Sequence, residues 1–531
     1  MFYVPLYFEA IRSRPALVFW LAALTQAVLW LAVPTLFYAA PPGDLAQVLA
    51  IGHQLQFDSD VGPPLAFWLA EFAFRIGGMF AVYALSQLCV LATYWCVFKL
   101  GSAILGPVHA VLAVLLMVGI SPFTVPTPDF GPPVLTMALW AFVLWQYWQA
   151  VMGERARSWY ALGVAAALIL LASEAALILL GALAVFTAAT ERGRAAMERI
   201  EPWIVAAVLV CFLFLHLLWL EGASDSLTPA IERLRQAGIA GTNTLAWLRL
   251  LGTLVLAHAG LAILVVLAGG WPRGSGVPTP ALTRGPVADA GRTFVKTFAL
   301  APALLATIAA VLIGRALPIG GRAPLLVLSA LAVVMLAGKA IELYHQRFLG
   351  FAWAALLIVP AVLVPVAMIL LPWTLGTDLT VTEPASAMGR FFANTFRERT
   401  GHPLAVVTGD VDTAALVALG APSRPSVYFD DDPRRSPSVT PADIRKKGAI
   451  VVWLAANTNP TPPPAIKTMF PGLIPEVPHI FKQRVFKQPI DGGPLPLLRI
   501  GWGVIRPAST PTSTPKSTPK STPTSAPPKR R

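Results

Sequence analysis

The chain has 531 residues, of which 56% are hydrophobic and only 13% are charged. An ordinary soluble domain is roughly a quarter charged, so a water-soluble fold cannot account for this composition. The net charge of +13 would suit a nucleic-acid-binding protein. However, the basic residues are scattered through short loops and a C-terminal tail, and no stretch interleaves them with aromatic residues. We therefore exclude nucleic acid as a partner and expect an integral membrane protein.

Apolar segments recur from the N-terminus to Trp373. A helix needs roughly 20 apolar residues to cross a hydrocarbon layer about 30 Å thick. The predicted spans, about eleven in all, cover residues 16–38, 77–98, 102–120, 133–151, 159–172, 176–190, 203–220, 247–269, 297–314, 323–340 and 349–372. We therefore predict a polytopic α-helical membrane domain over residues 1–375.

The basic residues of the short loops predict the orientation of these spans, because the cytoplasmic side carries an excess of Lys and Arg. Arg12 and Arg14 precede the first span, and Arg155 and Arg157 follow the fourth. The long loop 39–75 is acidic instead. It should face outward, and the segment that follows the last span should then be extracytoplasmic as well.

After Trp373 the composition becomes that of a soluble α/β domain, which we place at residues 376–507. Three segments predict buried strands and a fourth predicts a helix between the first two: Leu404–Thr408, Ser426–Phe429, Ala449–Leu454 and Asp412–Leu419. The pattern indicates a small Rossmann-like unit without a dinucleotide fingerprint. Residues 508–531 form a Ser/Thr/Pro/Lys repeat that cannot bury enough apolar surface to fold, so we predict a disordered tail.

The outward loops carry the most specific motifs. Gly43-Asp44 follows the first span, and Pro63-Pro64-Leu65 begins 19 residues after Asp44. Thr127-Pro128-Asp129 precedes the apolar run from Val134 to Trp148. Together these motifs resemble the GT-C membrane glycosyltransferases of family 39, which include bacterial lipid A aminoarabinose transferases and protein O-mannosyltransferases. The segments Trp159–Arg194 and Arg499–Pro507 are similar to later parts of the same family, so the resemblance covers roughly residues 10–507.

The resemblance implies transfer of a sugar from a polyprenyl-phosphate carrier to a lipid, glycan or protein acceptor, with inversion at the anomeric carbon. Such chemistry needs a carboxylate that receives the acceptor proton and cations that stabilise the leaving phosphate. By resemblance Asp44 is the base, and Asp129 positions the acceptor or helps to hold a divalent metal. The metal ligands stay undefined, and no other cofactor is implied. The implied substrate-binding residues are Asp58, Asp60, Pro63, Pro64, Glu174 and Arg347.

Three positions depart from the family pattern. Leu45 stands where the family has an acidic residue, Gly62 where it has His, and Glu174 where it has Lys. Asp58 and Asp60 are candidates to replace the missing carboxylate, but they lie at shifted positions. The acceptor, the donor or the activity itself could therefore differ from those of the family.

Each candidate residue also has a structural interpretation. Asp44 and Glu174 could be hydrated loop acids, and Asp129 could cap the helix that follows it. Pro63-Pro64 shapes the start of a helix in either case. The span count puts Arg347 on the cytoplasmic side, where an ordinary positive-inside anchor is the alternative to phosphate binding.

The function predicted from the sequence is a GT-C glycosyltransferase of a bacterial inner membrane, acting at the outer face. Two other functions remain open at this stage. A transporter or flippase for a lipid-linked sugar would share the composition, although no internal repeat of the transporter kind is visible in the sequence. A degenerate, non-catalytic relative would explain Leu45, Gly62 and Glu174.

Overall fold

The computed structural model describes residues 9–55, 62–223, 241–269, 281–343, 346–375, 379–429, 439–485, 488–489 and 498–508. The predicted tail from 509 onward, Asp58 and Asp60 lie outside these residues. The described part consists of a helical bundle followed by a small five-stranded sheet with its own helices. The chain is a multi-pass membrane protein with a C-terminal α/β unit, as the composition predicted.

The bundle helices follow the predicted apolar segments. They are α1 (Pro15–Phe37), α2 (Leu45–His53), α3 (Leu65–Leu105), α4 (Pro107–Met117), α5 (Pro132–Val151), α6 (Ala156–Leu170), α7 (Ala176–Ala189), α8 (Glu191–Ala196), α9 (Glu201–Ala223), α10 (Gly241–Leu256), α11 (Ala259–Ala268), α12 (Asp289–Ile313), α13 (Ser329–Leu336) and α14 (Gln346–Thr374). Among the described residues, five helices are long and apolar enough to cross a membrane, namely α1, α3, α5, α12 and α14. The pair α10–α11, bent by 49°, counts as a sixth if it is one broken span. The remaining predicted spans fall on α4, α6, α7, α9 and α13, none of which meets the same criteria over its described residues, so the structure does not establish a count of eleven.

Helix α3 is interrupted at Gly77 and Gly78, which is where the sequence predicts the second span to begin. Gly78 has φ 60° and ψ −152°, a backbone conformation that is essentially restricted to glycine. Residues 65–76 therefore form a separate arm of α3 that belongs to the predicted outward loop. Helix α2 lies in the same loop, so this loop is mostly helical.

The two ends of the bundle are defined by contacts between loops. At the end that carries Asp44, the backbone N–H groups of Ala39 and Ala40 donate to the carbonyl of Val381, just beyond α14. At the opposite end, β1 (Leu282–Thr283) pairs with β2 (Ala340–Ile341). We refer to these as the Asp44 end and the opposite end.

The C-terminal sheet has the strand order β4-β3-β5-β9-β6. Its strands are β3 (Val406–Gly409), β4 (Ser426–Phe429), β5 (Ala449–Leu454), β6 (Pro475–Phe481) and β9 (Leu498–Ile505), with the short pair β7 (Arg484–Val485) and β8 (Gln488–Pro489) outside it. Strands β3, β4 and β5 are parallel, whereas β9 runs antiparallel to β5 and β6. Two predicted strands have the observed limits and the first begins two residues later than predicted. The helices are α15 (Ala385–Thr400), α16 (Val411–Gly420), α17 (Pro441–Lys447) and α18 (Pro464–Met469).

The sheet unit packs on α2 and on the arm 65–76 of α3. Gln47 donates to the Asp412 carboxylate at 2.7 Å, and Gln54 donates to the carbonyl of Val427 at 2.8 Å. The Arg424 guanidinium donates to the Glu71 carboxylate at 2.7 Å. These contacts hold the C-terminal unit against α2, the helix that follows Asp44.

The Glu71 carboxylate is almost fully buried, with 3% of the side chain exposed. Besides Arg424, it contacts His53 Nδ1 at 3.0 Å and Arg75 Nε at 2.9 Å. Arg424 has φ 46° and lies over the ring of Phe74 at 4.4 Å. This backbone conformation is uncommon for a residue other than glycine, and at Arg424 it coincides with a buried ion pair and with a turn closed by the Arg424 N–H and the carbonyl of Ala421.

Candidate functional site

The segment that leads into Asp44 is held by backbone geometry. Helix α1 ends at Phe37, the chain continues in extended form past Tyr38, and Pro41-Pro42 follow. Gly43 has φ +53°, which turns the chain so that α2 begins at Leu45. The Asp44 side chain is exposed and makes no capping hydrogen bond to its own helix. It is therefore accessible to a molecule outside the bundle.

The loop between α4 and α5 positions Asp129. Buried polar residues of α3 hold it, because Ser86 donates to the carbonyl of Thr127 and Gln87 donates to the Thr127 hydroxyl at 3.3 Å. The Thr127 hydroxyl in turn donates to the carbonyl of Thr124 at 2.7 Å. These contacts explain why the Thr-Pro-Asp motif is rigid at the point where Asp129 leaves the loop.

The Asp129 carboxylate lies at the start of α2, beside Asp44. It accepts hydrogen bonds from the backbone N–H groups of Asp44 and Leu45. The alternative that Asp129 caps the helix after it is wrong, because that helix, α5, has Gly131 at its N-cap. Asp129 caps a helix from the preceding outward loop instead, and so joins the two loops that carry the motifs.

Gly43 makes this approach possible. A Cβ atom at Gly43 would lie 2.0 Å from Oδ2 of Asp129, closer than any two such atoms can come. The glycine of the Gly-Asp motif therefore has two roles, the positive φ and the space for the second carboxylate.

The pKa of the Asp129 carboxyl group depends on its burial and on its neighbours. Burial raises the pKa of Asp129, the Asp44 charge raises it further, and the two backbone N–H groups oppose the rise, which leaves a pKa of about 7. A carboxyl group with such a pKa exchanges its proton near neutral pH, as acid–base catalysis requires.

The positions that depart from the family pattern have clear environments. Leu45 is completely buried in the core beneath α2, so this position contributes no second carboxylate. Gly62 has φ +119°, which favours glycine over histidine. Pro63 and Pro64 lead into α3, with Pro64 at its N-cap, and the Leu65 N–H group donates to the carbonyl of Leu171. The start of α3 is thus joined to the turn after α6 by the Leu65 N–H group.

Glu174 lies in that turn, at the Asp44 end. Its carboxylate contacts the Arg315 guanidinium at 2.9 Å, and both side chains are about half exposed. A Cβ at Gly320 would meet Ala175 Cβ at 2.4 Å, and one at Gly321 would meet Pro133 Cβ at 3.1 Å. The loop after α12 therefore packs between this turn and the start of α5, close to the Asp129 loop.

Arg347 is not at this end. It is the second residue of α14 and lies six residues after the end of β2, at the opposite end. Helix α14 has 29 residues and thus rises about 40 Å to Thr374, near the segment that bonds Ala39. The structure brings Asp44, Asp129, Pro63, Pro64 and Glu174 to one end of the bundle and leaves Arg347 at the other.

Three residues at the Asp44 end did not emerge from the sequence. Arg315 supplies a cation through its pair with Glu174, and Tyr83 lies within electrostatic range of Asp129. Arg484 lines a cavity of about 180 Å³ together with Tyr38, Ala39, Pro384 and Ser386. No motif or spacing marks these residues, since each reaches the site through contacts between distant segments.

A divalent metal is a candidate at this site, and the donor set can be tested. Asp44 and Asp129 offer two carboxylates. In the described part of the chain no group of three or more His, Cys, Asp or Glu side chains converges. Hard cations take about six or more oxygen ligands, so this pair supplies only part of a site. The chemistry proposed below is therefore assigned to the protein groups alone.

Comparisons with known proteins are consistent with the motifs and the fold. Residues 61–219 match the family described as dolichyl-phosphate-mannose-protein mannosyltransferase. The structure of ArnT from Cupriavidus metallidurans bound to undecaprenyl phosphate has the same fold, with a TM-score of 0.50 and 11% identity over 92% of this chain and 98% of that one. The apo structure of the same enzyme gives a TM-score of 0.42 and 13% identity, over 92% and 97% of the two chains. No curated protein sequence matches the chain. The resemblance to the GT-C membrane glycosyltransferases of family 39 that the outward-loop motifs indicated is therefore confirmed.

Proposed function

We propose that the chain is an inverting glycosyltransferase that moves a sugar from a polyprenyl-phosphate carrier to an acceptor. The observation that carries the proposal is the pairing of Asp44 with Asp129 at one end of the bundle. Two loops distant in sequence converge to form it, and one carboxyl group has its pKa raised to about 7. Such a pair is a feature of acid–base sites more often than of structural loops.

Asp44 is the general base in this proposal. Its carboxylate is exposed and reaches a bound acceptor, whereas Asp129 is largely enclosed and bonded to the backbone of α2. The acceptor oxygen or nitrogen attacks the anomeric carbon, the bond from that carbon to the phosphate oxygen breaks, and Asp44 takes the acceptor proton. Asp129 is a positioning residue that fixes the start of α2 and thus the direction of the Asp44 side chain.

The leaving group is polyprenyl phosphate, whose charge needs cations at the same end of the bundle. Arg315 and Arg484 are candidates, since a guanidinium matches phosphate with two parallel hydrogen bonds. Glu174 holds Arg315 at 2.9 Å and so orients it. Because Arg347 lies at the opposite end, it serves as an anchor in this scheme, and the phosphate-binding role moves to these two arginines.

The excess of Lys and Arg at the opposite end supports a cytoplasmic position for that end, and so supports a position of the Asp44 end at the outer face of a bacterial inner membrane. Residues 376–507 then form an extracytoplasmic domain, after a membrane domain of residues 1–375. Because this domain packs behind α2, it is suited to influence acceptor choice. The ArnT structure holds undecaprenyl phosphate, which supports a carrier of the same class here.

The test compares the lipids and glycans of a deletion strain with those of its parent by mass spectrometry. Loss of a single sugar from one lipid, glycan or protein is expected, and the parental chain should restore it while Asp44→Asn should not. A flippase would restore the modification with either chain, because transport does not need the base. Unchanged lipids and glycans in the deletion strain would instead indicate a non-catalytic relative.

A further inference from the structure

A cavity near the opposite end of the bundle lies outside the site described above. It has a volume of about 330 Å³ and is formed by the ends of α3, α5, α8 and α12. Its lining residues are Ala103, Trp148, Gln149, Met152, Gly153, Arg155, Arg192, Ala288 and Ala290. These residues come from four separate segments, so the cavity is a product of the tertiary fold rather than of one loop.

The polar side of this cavity is cationic. Arg155 and Arg192 line it, and no acidic residue is among the described residues of its lining. Three acids are next to lining residues in the chain, namely Glu154, Glu191 and Asp289. Glu154 pairs with Arg199 at 3.4 Å, and Asp289 pairs with Arg292 at 3.5 Å. The two guanidinium groups that line the cavity repel each other, and an anion bound between them would relieve that repulsion.

The apolar side of the cavity is formed by Trp148, Met152 and alanines. The Trp148 ring packs against Phe294 of α12 with centroids 5.2 Å apart, which fixes one wall. Tryptophan at a helix end is typical of the membrane–water boundary. A ligand with an anionic head and an apolar body therefore fits the cavity better than a small polar metabolite does.

A tight turn holds the basic wall in place. The Arg155 N–H group donates to the carbonyl of Gln149, and the Gly153 N–H group donates to the carbonyl of Trp148. A Cβ at Gly153 would lie 2.8 Å from the Gln149 carbonyl oxygen, so the turn is as close as glycine allows. The backbone of Arg155 is therefore part of a compact turn rather than of a long loop.

We propose that this cavity binds a phosphate group, carried by an anionic membrane phospholipid, between Arg155 and Arg192. Basic pockets between helix ends are a recurrent form of lipid headgroup recognition. Gln149 adds a neutral hydrogen-bond donor, and Trp148 packs against the start of the lipid chains. The site is independent of sugar transfer, because it lies at the end of the bundle opposite Asp44.

The experiment uses the full-length chain purified in detergent and measures bound lipid by native mass spectrometry. Phosphatidylglycerol should bind in preference to phosphatidylcholine, and the double variant Arg155→Gln/Arg192→Gln should weaken its binding on the order of tenfold or more. The matched control is Arg12→Gln/Arg157→Gln, which removes the same charge at the same end but leaves the cavity lining unchanged. This control should bind phosphatidylglycerol as the parent does.

A second measurement distinguishes the sources of phosphate and reports on folding. Melting temperatures without ligand should agree between the parent and both double variants, since the four arginines are exposed. Phosphatidylglycerol should raise the melting temperature of the parent and not that of the cavity variant, while inorganic phosphate should have little effect. Arginine-dependent stabilisation by inorganic phosphate alone would overturn the lipid assignment. Equal lipid binding by the parent and the cavity variant, or equal loss in the control, would overturn the site.

Discussion

The Asp129 carboxylate accepts hydrogen bonds from the backbone N–H groups of Asp44 and Leu45, so the acids of two separate loops share one helix terminus. The same contact stabilises the N-terminus of α2, where a negative charge compensates the unpaired N–H groups. Catalytic geometry and helix capping thus depend on a single interaction. The consequences of changing either residue can be stated separately.

Asp44→Asn should abolish most sugar transfer without harming the fold. Asparagine has nearly the same size as aspartate, and its backbone N–H group can still donate to the Asp129 carboxylate. Its side-chain amide, however, cannot take a proton from the acceptor. We expect a loss on the order of 10²-fold or more in transfer rate and no decrease in melting temperature, because the side chain is exposed. Asp289→Asn, an exposed acid at the opposite end, is the matched control. A folded Asp44→Asn protein with the parental rate would exclude Asp44 as the base.

Asp129→Asn should change how stability depends on pH. In the unfolded chain this carboxyl group titrates near about 4, whereas in the folded chain burial and Asp44 raise its pKa to about 7. The folded state therefore binds the proton more tightly, and the resulting stabilisation is complete below about pH 4 and is lost as pH rises through about 7. Asp129→Asn has no such group to ionise. Its stability relative to the parent should therefore increase as the pH rises from about 4 to about 7.

Melting temperatures of both chains at about pH 5 and about pH 8 test this expectation. Asp44→Asn gives a second test. Removal of the Asp44 charge lowers the pKa of Asp129, so the loss of stability that accompanies ionisation of Asp129 should be smaller in this variant than in the parent. A constant difference between parent and Asp129→Asn across this range would show that Asp129 has an ordinary pKa in the folded chain.

The sequence predicted the elements that depend on local pattern. The strands at 426–429 and 449–454 are short apolar runs between turn residues. The structure interrupts α3 at Gly77 and Gly78, where the sequence predicted the second span to begin. The sequence did not predict contacts between distant segments. The capping of α2 by Asp129 requires that two loops meet, and nothing in the spacing of either loop encodes that.

The site residues show the same division. The motifs brought Asp44, Asp129 and Pro63-Pro64 into one hypothesis, and the fold brings them to one end of the bundle. Arg347 was selected because its segment is similar to a family motif. It lies near the start of α14, about 40 Å along the helix from Thr374 at the Asp44 end. Arg315 reaches the same end through its ion pair with Glu174, which only the fold reveals.

Arg424→Ala should loosen the C-terminal unit from the bundle. The variant leaves the buried Glu71 carboxylate with His53 and the half-exposed Arg75 as its partners. Loss of one member of a buried ion pair costs about 3 kcal/mol, so we expect a lower melting temperature and faster proteolysis between the bundle and the sheet. Lys446→Ala, on an exposed face of α17, is the control. Equal protease resistance in both variants would remove Arg424 from the interface.

The orientation is tested with reporter fusions. A reporter that is active only outside the cytoplasm should work when fused after Ser121, in the loop that carries Asp129, or after Thr380, beyond the end of α14. A fusion after Arg157, at the opposite end, should be inactive with this reporter and active with a cytoplasmic one. The reverse pattern would place Asp44 in the cytoplasm and contradict transfer at the outer face.

Gly43→Ala should impair transfer although it removes no polar group. The added Cβ would lie 2.0 Å from Oδ2 of Asp129, and φ +53° is unfavourable for alanine, so Asp129 must move away from the start of α2. Asp44 is then no longer held in position by the contact between Asp129 and α2. We expect a loss in transfer rate on the order of tenfold or more, with a reduced melting temperature. Gly181→Ala, whose Cβ would meet no atom within 4 Å, is the control and should be neutral in both measurements. A fully active Gly43→Ala protein would show that Asp129 need not contact α2 for Asp44 to act.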